Sequence, residues 1–369
     1  MQNILNQFAI WNEVEEAHPL RIGFINDSYV VPAKRIGEPS YCLQRINHRI
    51  FKNVEGLMRN IELVTSHIRE KLLIAHEEDI ERKVLQLIPT KKGKLFYKSP
   101  EGDYWRLYVL VEPATSQEKV TPEAAELTGE AFGRFQCQLA DLPFDALCES
   151  IPNFHNMEFR LQELDEAIDR AVSSQPSAIS RQRLEACGDI VEWINRRREE
   201  MCRAERLFRE GKLKKHINHC DTKVNNVLFD EKGKPICIVD LDTVMPGFVF
   251  SDFGDFMRTA ANTGLEDDPN LDNIHVDLAV FEAYTRGYLK EATFLTDLEK
   301  EMLPFGCRLL SYMQTVRFFT DYINGDTYYK IQYPEHNLVR TRAQLRLVEE
   351  QEKVEAEMQR IISELKIEN

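Results

Sequence analysis

Positive charge is what this sequence has least to spare. Its 369 residues carry 47 Lys and Arg against 61 Asp and Glu, a formal net charge of -14. Binding of nucleic acid needs a concentrated basic surface, so that partner is excluded, while a local basic pocket for one small phosphorylated ligand is not. No run of about 18 apolar residues is present, which excludes a membrane-spanning helix. The opening stretch MQNILNQFAIWNEVEE lacks a basic segment followed by an apolar one, so no signal peptide is expected. The eight cysteines stand singly with no Cys-x-x-Cys pair, which implies reduced thiols in a cytoplasmic protein rather than disulfides or a zinc site.

What is present is a globular composition, 43% hydrophobic and 29% charged, with length enough for two lobes. Strand-like runs at 28–31, 41–46, 94–97 and 105–111 surround one helical pattern over 53–71, where Val54, Leu57, Met58, Ile61, Val64 and Ile68 recur at helical spacing. Residues 1–112 therefore read as a small sheet-based lobe, closed by Pro113. Residues 113–369 read as a larger, mainly helical lobe, with helices over 124–138, 158–172 and 180–210. The α+β architecture is interrupted at 216–242 by two short strand-like runs, 227–229 and 236–239. The final helix, over 341–366, is expected to pack on the larger lobe. Gln351 breaks its apolar stripe, so a monomer or weak homodimer is expected rather than a coiled coil.

The chemistry is concentrated in HINHCDTKVNNVLFDEKGKPICIVDLD, residues 216–242. His219-Cys220-Asp221 is followed five residues on by Asn226, then by two strands joined by a Gly-containing turn, the second ending at Asp240. A hairpin of this kind brings Asn226 and Asp240 together, with Asp221 on the loop that enters it. Phosphoryl transfer requires that set: a carboxylate at the acceptor hydroxyl, and oxygen ligands for magnesium on the triphosphate. Asp221 would orient the hydroxyl and accept its proton, Asn226 and Asp240 would hold the metal, and Asp242 would either be an auxiliary ligand or stand just behind the ligands. Lys223 would offset charge on the transferred group. His219 reads as a structural tie. Further on, Asp252-Phe253-Gly254 copies three letters that mark the metal-binding aspartate of protein kinases. Asp252 lies 31 residues beyond Asp221, too far along for that role. Ser251 or Asp252 is instead expected to cap a helix that buttresses the loop.

The H-x-D-x(4)-N loop and the strand-terminal Asp resemble those of the phosphotransferases that include aminoglycoside phosphotransferases and choline kinases, which share the two-lobed protein-kinase-like fold. The resemblance implies ATP as donor, Mg2+ as cofactor, and Asp221, Asn226 and Asp240 in the roles just given. Within the family, LMRNIELVTS, DTKVNNVL, VDLDTVMPG, DFGD and YPEHNLVRTR look like the N-acetylhexosamine 1-kinases, which phosphorylate the anomeric hydroxyl of a sugar. That likeness runs from about residue 20 to 365. It implies that residues 23–28, with Asn26 and Ser28, cover the phosphates. Arg45 falls where kinases carry a strand lysine, with Glu62 as its ion-pair partner. Val109 and Val111 fall on the adenine hinge. Sugar contacts are implied for Arg317 and Tyr328, and a place beside the sugar for Arg258. Phe24 stands where these enzymes carry a His, and Thr259 where they carry a Phe, which bears on substrate identity. Two other readings compete: a kinase of another small alcohol, and a non-catalytic nucleotide-binding regulator. The regulator should have lost one of Asp221, Asn226 or Asp240, and all three are present. A protein kinase is disfavoured because no Ala-Pro-Glu segment follows the metal aspartate.

Overall fold

A computed structural model describes residues 1–20, 25–117, 120–173 and 178–368. The first lobe is a six-stranded antiparallel sheet of β1 (His18–Leu20), β2 (Asp27–Val31), β3 (Tyr41–Ile46), β4 (Leu87–Ile88), β5 (Tyr97–Lys98) and β6 (Tyr104–Val109). Its order is β1-β2-β3-β6-β4, with β5 also on β6. The run 94–97 forms strand only at its end, and β1 and β4 are too short to have shown a period. Both faces of the sheet are covered. Tyr41, Leu43, Trp105 and Leu107 pack with Leu5 and Phe8 on one side. On the other, Ile46 joins the apolar face of the helix Val54–Ile74. Asn53 caps that helix by accepting the Gly56 N–H.

The same helix is the seam between the lobes. Leu57, Met58, Ile61 and Val64 share one core with Ile217, Cys237, Leu241 and Val244 of the larger lobe. Asn60 is buried there and donates to the carbonyls of Cys148 and Val244 at 2.7 and 3.1 Å. Unpaired, that amide would cost about 1–3 kcal/mol, so its two bonds fix the register of helix against loop.

The larger lobe is helical, as expected, with boundaries shifted to where the caps lie. Pro122–Leu139 starts at the Thr121 cap and Met157–Val172 at the Asn156 cap. The single long helix expected over 180–210 is three, Ala178–Glu185, Gly188–Met201 and Arg203–Arg209. Two short hairpins carry the site: β7 (His216–Asn218) with β10 (Met245–Gly247), and β8 (Val227–Phe229) with β9 (Pro235–Ile238). The last helix, His336–Glu368, buries Leu347, Val348, Met358 and Ile361, and buries Gln351 too, so the polar break in its stripe points inward. All eight cysteines are free thiols. Among the described residues no helix is long and apolar enough to cross a membrane.

The Asp-Phe-Gly stretch lies inside the helix Val249–Ala260, which begins three residues earlier than Asp252. Phe250, Phe253 and Phe256 are fully buried, each worth roughly 2–3 kcal/mol of apolar burial. Gly254 lets this helix meet Leu303–Ile323 backbone to backbone: a Cβ there would sit 2.1 Å from the Gly306 carbonyl oxygen. Gly254→Ala is therefore expected to lower stability by about 3 kcal/mol through overpacking, read as a fall in the urea midpoint. An unchanged midpoint would show that the helices can separate freely.

Candidate active site

The loop entering β8 is built around one buried carboxylate. Asp252, 1% exposed, accepts the backbone N–H of His219 at 2.7 Å and of Cys220 at 2.8 Å, and the Gln136 side-chain amide at 2.9 Å. Thr222 adds a bond from its hydroxyl to the Asp252 carbonyl at 2.6 Å. Cys220 has a φ of +62°, a left-handed conformation that costs a non-glycine residue about 1–2 kcal/mol. Bonds to a charged acceptor contribute about 1.5–3 kcal/mol each, so the two loop N–H bonds outweigh the strain. Burial pushes the Asp252 carboxyl up to about 6, against the pull of the His219 ring and the loop N–H groups. Asp252 thus buttresses the loop, but from the fourth helical residue. Neither it nor Ser251 is the cap, because Phe248 occupies that position without a side-chain bond.

His219 is fully buried between the edges of Phe132 and Phe135. Its Nε2–H donates to the Val239 carbonyl at 2.9 Å, and the His219 carbonyl accepts from Thr243 Oγ1 at 2.8 Å. It is the tie its buried setting suggests, joining the loop to the end of β9.

Asp221 emerges from this frame partly exposed, with Lys223 Nζ on its Oδ1 at 2.8 Å. Burial would lower the Lys223 ammonium, but Asp221 holds it above its ordinary value. Asn226 donates to the Asp221 carbonyl at 2.8 Å, and the Val239 N–H reaches the Asn226 carbonyl at 2.9 Å. The hairpin therefore sets Asn226 and Asp240 side by side. Asp240 follows β9 with a φ of +61°. Its carboxylate faces the cleft with no hydrogen bond or ion pair to any described residue. Desolvation by the surrounding protein, then the negative charges of Asp242 and Asp221, raise it above the usual carboxylate range.

This pair fits a small hard cation. The Asn226 side-chain nitrogen is committed to Asp221, which turns its oxygen away as a free donor. The described residues contain no cluster of three or more His, Cys, Asp or Glu able to hold a metal. Two oxygen donors, with phosphate and water supplying the rest, is what magnesium accepts and what zinc or calcium cages do not use. Asp242 is not a third donor. It is 3% exposed, and its two oxygens are taken by Arg106 and by the Asn26 amide at 2.5 Å. That corrects its expected place as an auxiliary ligand.

In the first lobe Asn26 and Ser28 do converge on the cleft: Asn26 also accepts the Asn47 N–H at 2.9 Å, and Ser28 accepts from Gln44 at 2.8 Å. Arg45 and Glu62 are not brought together. Strand alternation puts Gln44 on the cleft face of β3 and Arg45 on the other, where it pairs with Asp27 and Asp103. Glu62 is exposed on its helix. The charge that faces the cleft is Arg106 on β6, missed in the sequence although a lone Arg inside YWRLYV was visible. The hinge narrows as well. Val109 and Leu110 donate to Gln86 and Ser40 at 2.9 Å each, whereas the Val111 N–H makes none of the described backbone bonds.

On the far side of Asp221, Asp255 accepts the Thr222 N–H at 3.1 Å and an Arg258 bond at 3.3 Å. Burial alone would raise it, but Arg258, His155 and Lys223 hold it below the usual carboxylate range. Arg258 is itself buried and also paired with Glu266 at 2.5 Å, so it braces Asp255 rather than offering free donors. Thr259 bonds back to the Phe256 carbonyl at 3.1 Å. Arg317 has no carboxylate partner among the described residues. Its guanidinium lies 5.1 to 5.9 Å from the Phe154, Tyr328 and Tyr329 rings, at a cavity of about 280 Å3 shared with Arg160. Phe24 falls outside the described residues.

The two lobes, the hairpin and the loop define a kinase-type phosphotransferase. Residues 16–292 match the model of the phosphotransferase enzyme family (APH), three quarters of the chain, and the chain belongs to that family. Solved structures share the fold at low identity. An aminoglycoside phosphotransferase from Alicyclobacillus acidocaldarius aligns over 100% of this chain and 96% of its own, at 12% identity and a TM-score of 0.56. An ethanolamine kinase from Plasmodium vivax aligns over 91% and 84%, at 12% and 0.58. Amicoumacin kinase, in complex with AMP-PNP, Ca2+ and Ami, aligns over 94% and 92%, at 13% and 0.58.

His155 beside this acceptor region gives a test by pH. Burial lowers its ring to about 4, against an unfolded value near 6.5. The unfolded chain then binds more protons between those values, so stability falls as pH drops from about 6.5 to 4. His155→Gln is expected to flatten that part of the melting-temperature profile, and a parallel profile would place the ring in solvent.

Proposed function

We propose that this enzyme transfers the γ-phosphoryl group of ATP to the anomeric hydroxyl of an N-acetylated hexosamine. The observation that carries the acceptor class is Arg317: a guanidinium with no carboxylate partner among the described residues, bonded to Gln314 at 3.1 Å and framed by three aromatic rings. A guanidinium donates a fork of N–H bonds to hydroxyl or acetyl oxygens, and rings stack on the apolar face of a sugar. The guanidinium disfavours an ammonium beside it, and because Glu163, Glu166 and Asp321 line the same cavity, the assay below is the one that separates neutral from cationic acceptors. The motif likeness to the sugar kinases agrees with this reading, since it implies sugar contacts for the same Arg317 and Tyr328.

In the mechanism, Asp221 accepts a hydrogen bond from the acceptor hydroxyl and aligns it in line with the phosphoryl group, taking the proton as the bond forms. An anomeric hydroxyl is more acidic than an ordinary alcohol, so positioning contributes more than proton removal. Lys223, held on Asp221, places positive charge where the transferred oxygens gain negative charge. Asn226 and Asp240 would hold magnesium, which neutralises and orients the triphosphate. Asn26 and Ser28 close over the phosphates, and Val111 offers its backbone to adenine. Release of ADP is measured with magnesium-ATP over hexoses, N-acetylhexosamines, aminoglycosides and choline. N-acetylglucosamine or N-acetylgalactosamine should turn over, and Asp221→Asn should lower kcat at least about 100-fold. Arg317→Ala should raise the sugar KM about tenfold with a smaller change in kcat. Turnover of a cationic alcohol, with none of either N-acetylhexosamine, would overturn the acceptor assignment.

A further inference from the structure

Side chains of the first lobe meet at Asp242. Arg106 and Asp242 are each 4% exposed, which makes theirs the most deeply buried ion pair among the described residues. The pair is two-pronged: Arg106 Nη1 meets Oδ1, and Nη2 meets Oδ2 at 3.0 Å. Gln44, opposite Arg106 in the β3–β6 register, accepts from its Nε at 2.9 Å and from its Nη2 at 2.6 Å. Gln44 in turn donates to Ser28 on β2. Asn26 donates to the same Asp242 carboxylate. Three strands of the first lobe and the strand-leading Asn26 are thereby tied to the turn Leu241–Thr243, one residue beyond Asp240.

We infer that Arg106 is a positioning residue for phosphoryl transfer: through Asp242 it fixes the Asp240 turn and Asn26 in register, the task that a β3 cation paired with a helix carboxylate would otherwise perform. The inference rests on the kinase reading above. Arg106 has no surface to offer a phosphate, since its Nε, Nη1 and Nη2 are each committed to Gln44 or Asp242. Its influence on the nucleotide passes through the carboxylate it grips. A planar fork is required for that grip, and Lys presents a single point of charge. The positive charge also offsets the neighbouring carboxylates Asp240 and Asp242.

Calorimetric titration of the full chain with ADP, with and without Mg2+, separates the possibilities. Arg106→Met should weaken Mg·ADP at least tenfold and metal-free ADP less than threefold, because the damage lies at the metal-holding turn. Asp242→Asn should behave alike, and the double variant should be no weaker than the worse single one, as expected for two ends of one contact. Arg45→Met, on the opposite face of β3, should bind as the parent does. Should Arg106→Met fail to fold by circular dichroism, Arg106→Lys decides, with an expected threefold to tenfold loss for Mg·ADP. Equal losses with and without metal, additive single variants, or parental affinity in the Lys variant would each overturn the inference. A parent chain that binds no Mg·ADP would instead overturn the kinase reading itself.

Discussion

The bond between the Asp252 carboxylate and the N–H groups of His219 and Cys220 is the constraint on which the site depends. It sets a buried charge inside a helix packed by three phenylalanines, and uses that charge to hold a strained loop. Asp221 can then stand at the cleft without a rigid element of its own, because the two residues before it are pinned. Thr222 is pinned as well, by Asp252 and Asp255, so both neighbours of Asp221 are fixed. In the proposed role, in which Asp221 aligns the acceptor hydroxyl, this rigidity would matter more than an unusual basicity.

Around that strut the lobes are joined twice. The apolar seam along Val54–Ile74 sets the distance between them, and the Asn60 bonds set its register. The ion pair of Arg106 with Asp242 then ties the sheet to the turn beside Asp240. In the proposed reaction the sheet faces the nucleotide and the helical lobe the acceptor, so transfer would depend on both joints. The helical lobe carries its own electrostatic pattern. Asp255 is paired with Arg258, while Arg317 has no carboxylate partner among the described residues and lies beside aromatic faces and Gln314.

The loop and hairpin were legible because spacing alone places them: an Asp, an Asn five residues on and a strand-terminal Asp leave few foldings open. The helix Val54–Ile74 showed for the same reason, its apolar positions repeating over 21 residues. β3 was legible as a strand and illegible in its facing. Both sides of the sheet are covered, so Tyr41-Cys42-Leu43 is apolar throughout and no alternation tells whether Gln44 or Arg45 meets the cleft. The error over Arg45 and Glu62 follows from that, as does the oversight of Arg106. Asp242 was misjudged for a different reason: its partners lie 136 and 216 residues away, and only the folded chain brings them to it. Asp252 was placed correctly behind the loop but as a cap, since the start of its helix at Val249 carries no capping side chain to announce it.

In the proposed enzyme the aspartates of one short stretch divide by duty, with Asp240 to hold the metal, Asp242 on the lobe contact and Asp252 on the loop. The direct measurement is an anomalous difference map from crystals of the chain grown with Mn2+ and AMP-PNP. The expected peak lies between Asn226 and Asp240, with Asp252 still accepting from His219 and Cys220. A metal peak bonded to Asp252, or one that leaves Asp240 without a ligand bond, would contradict it.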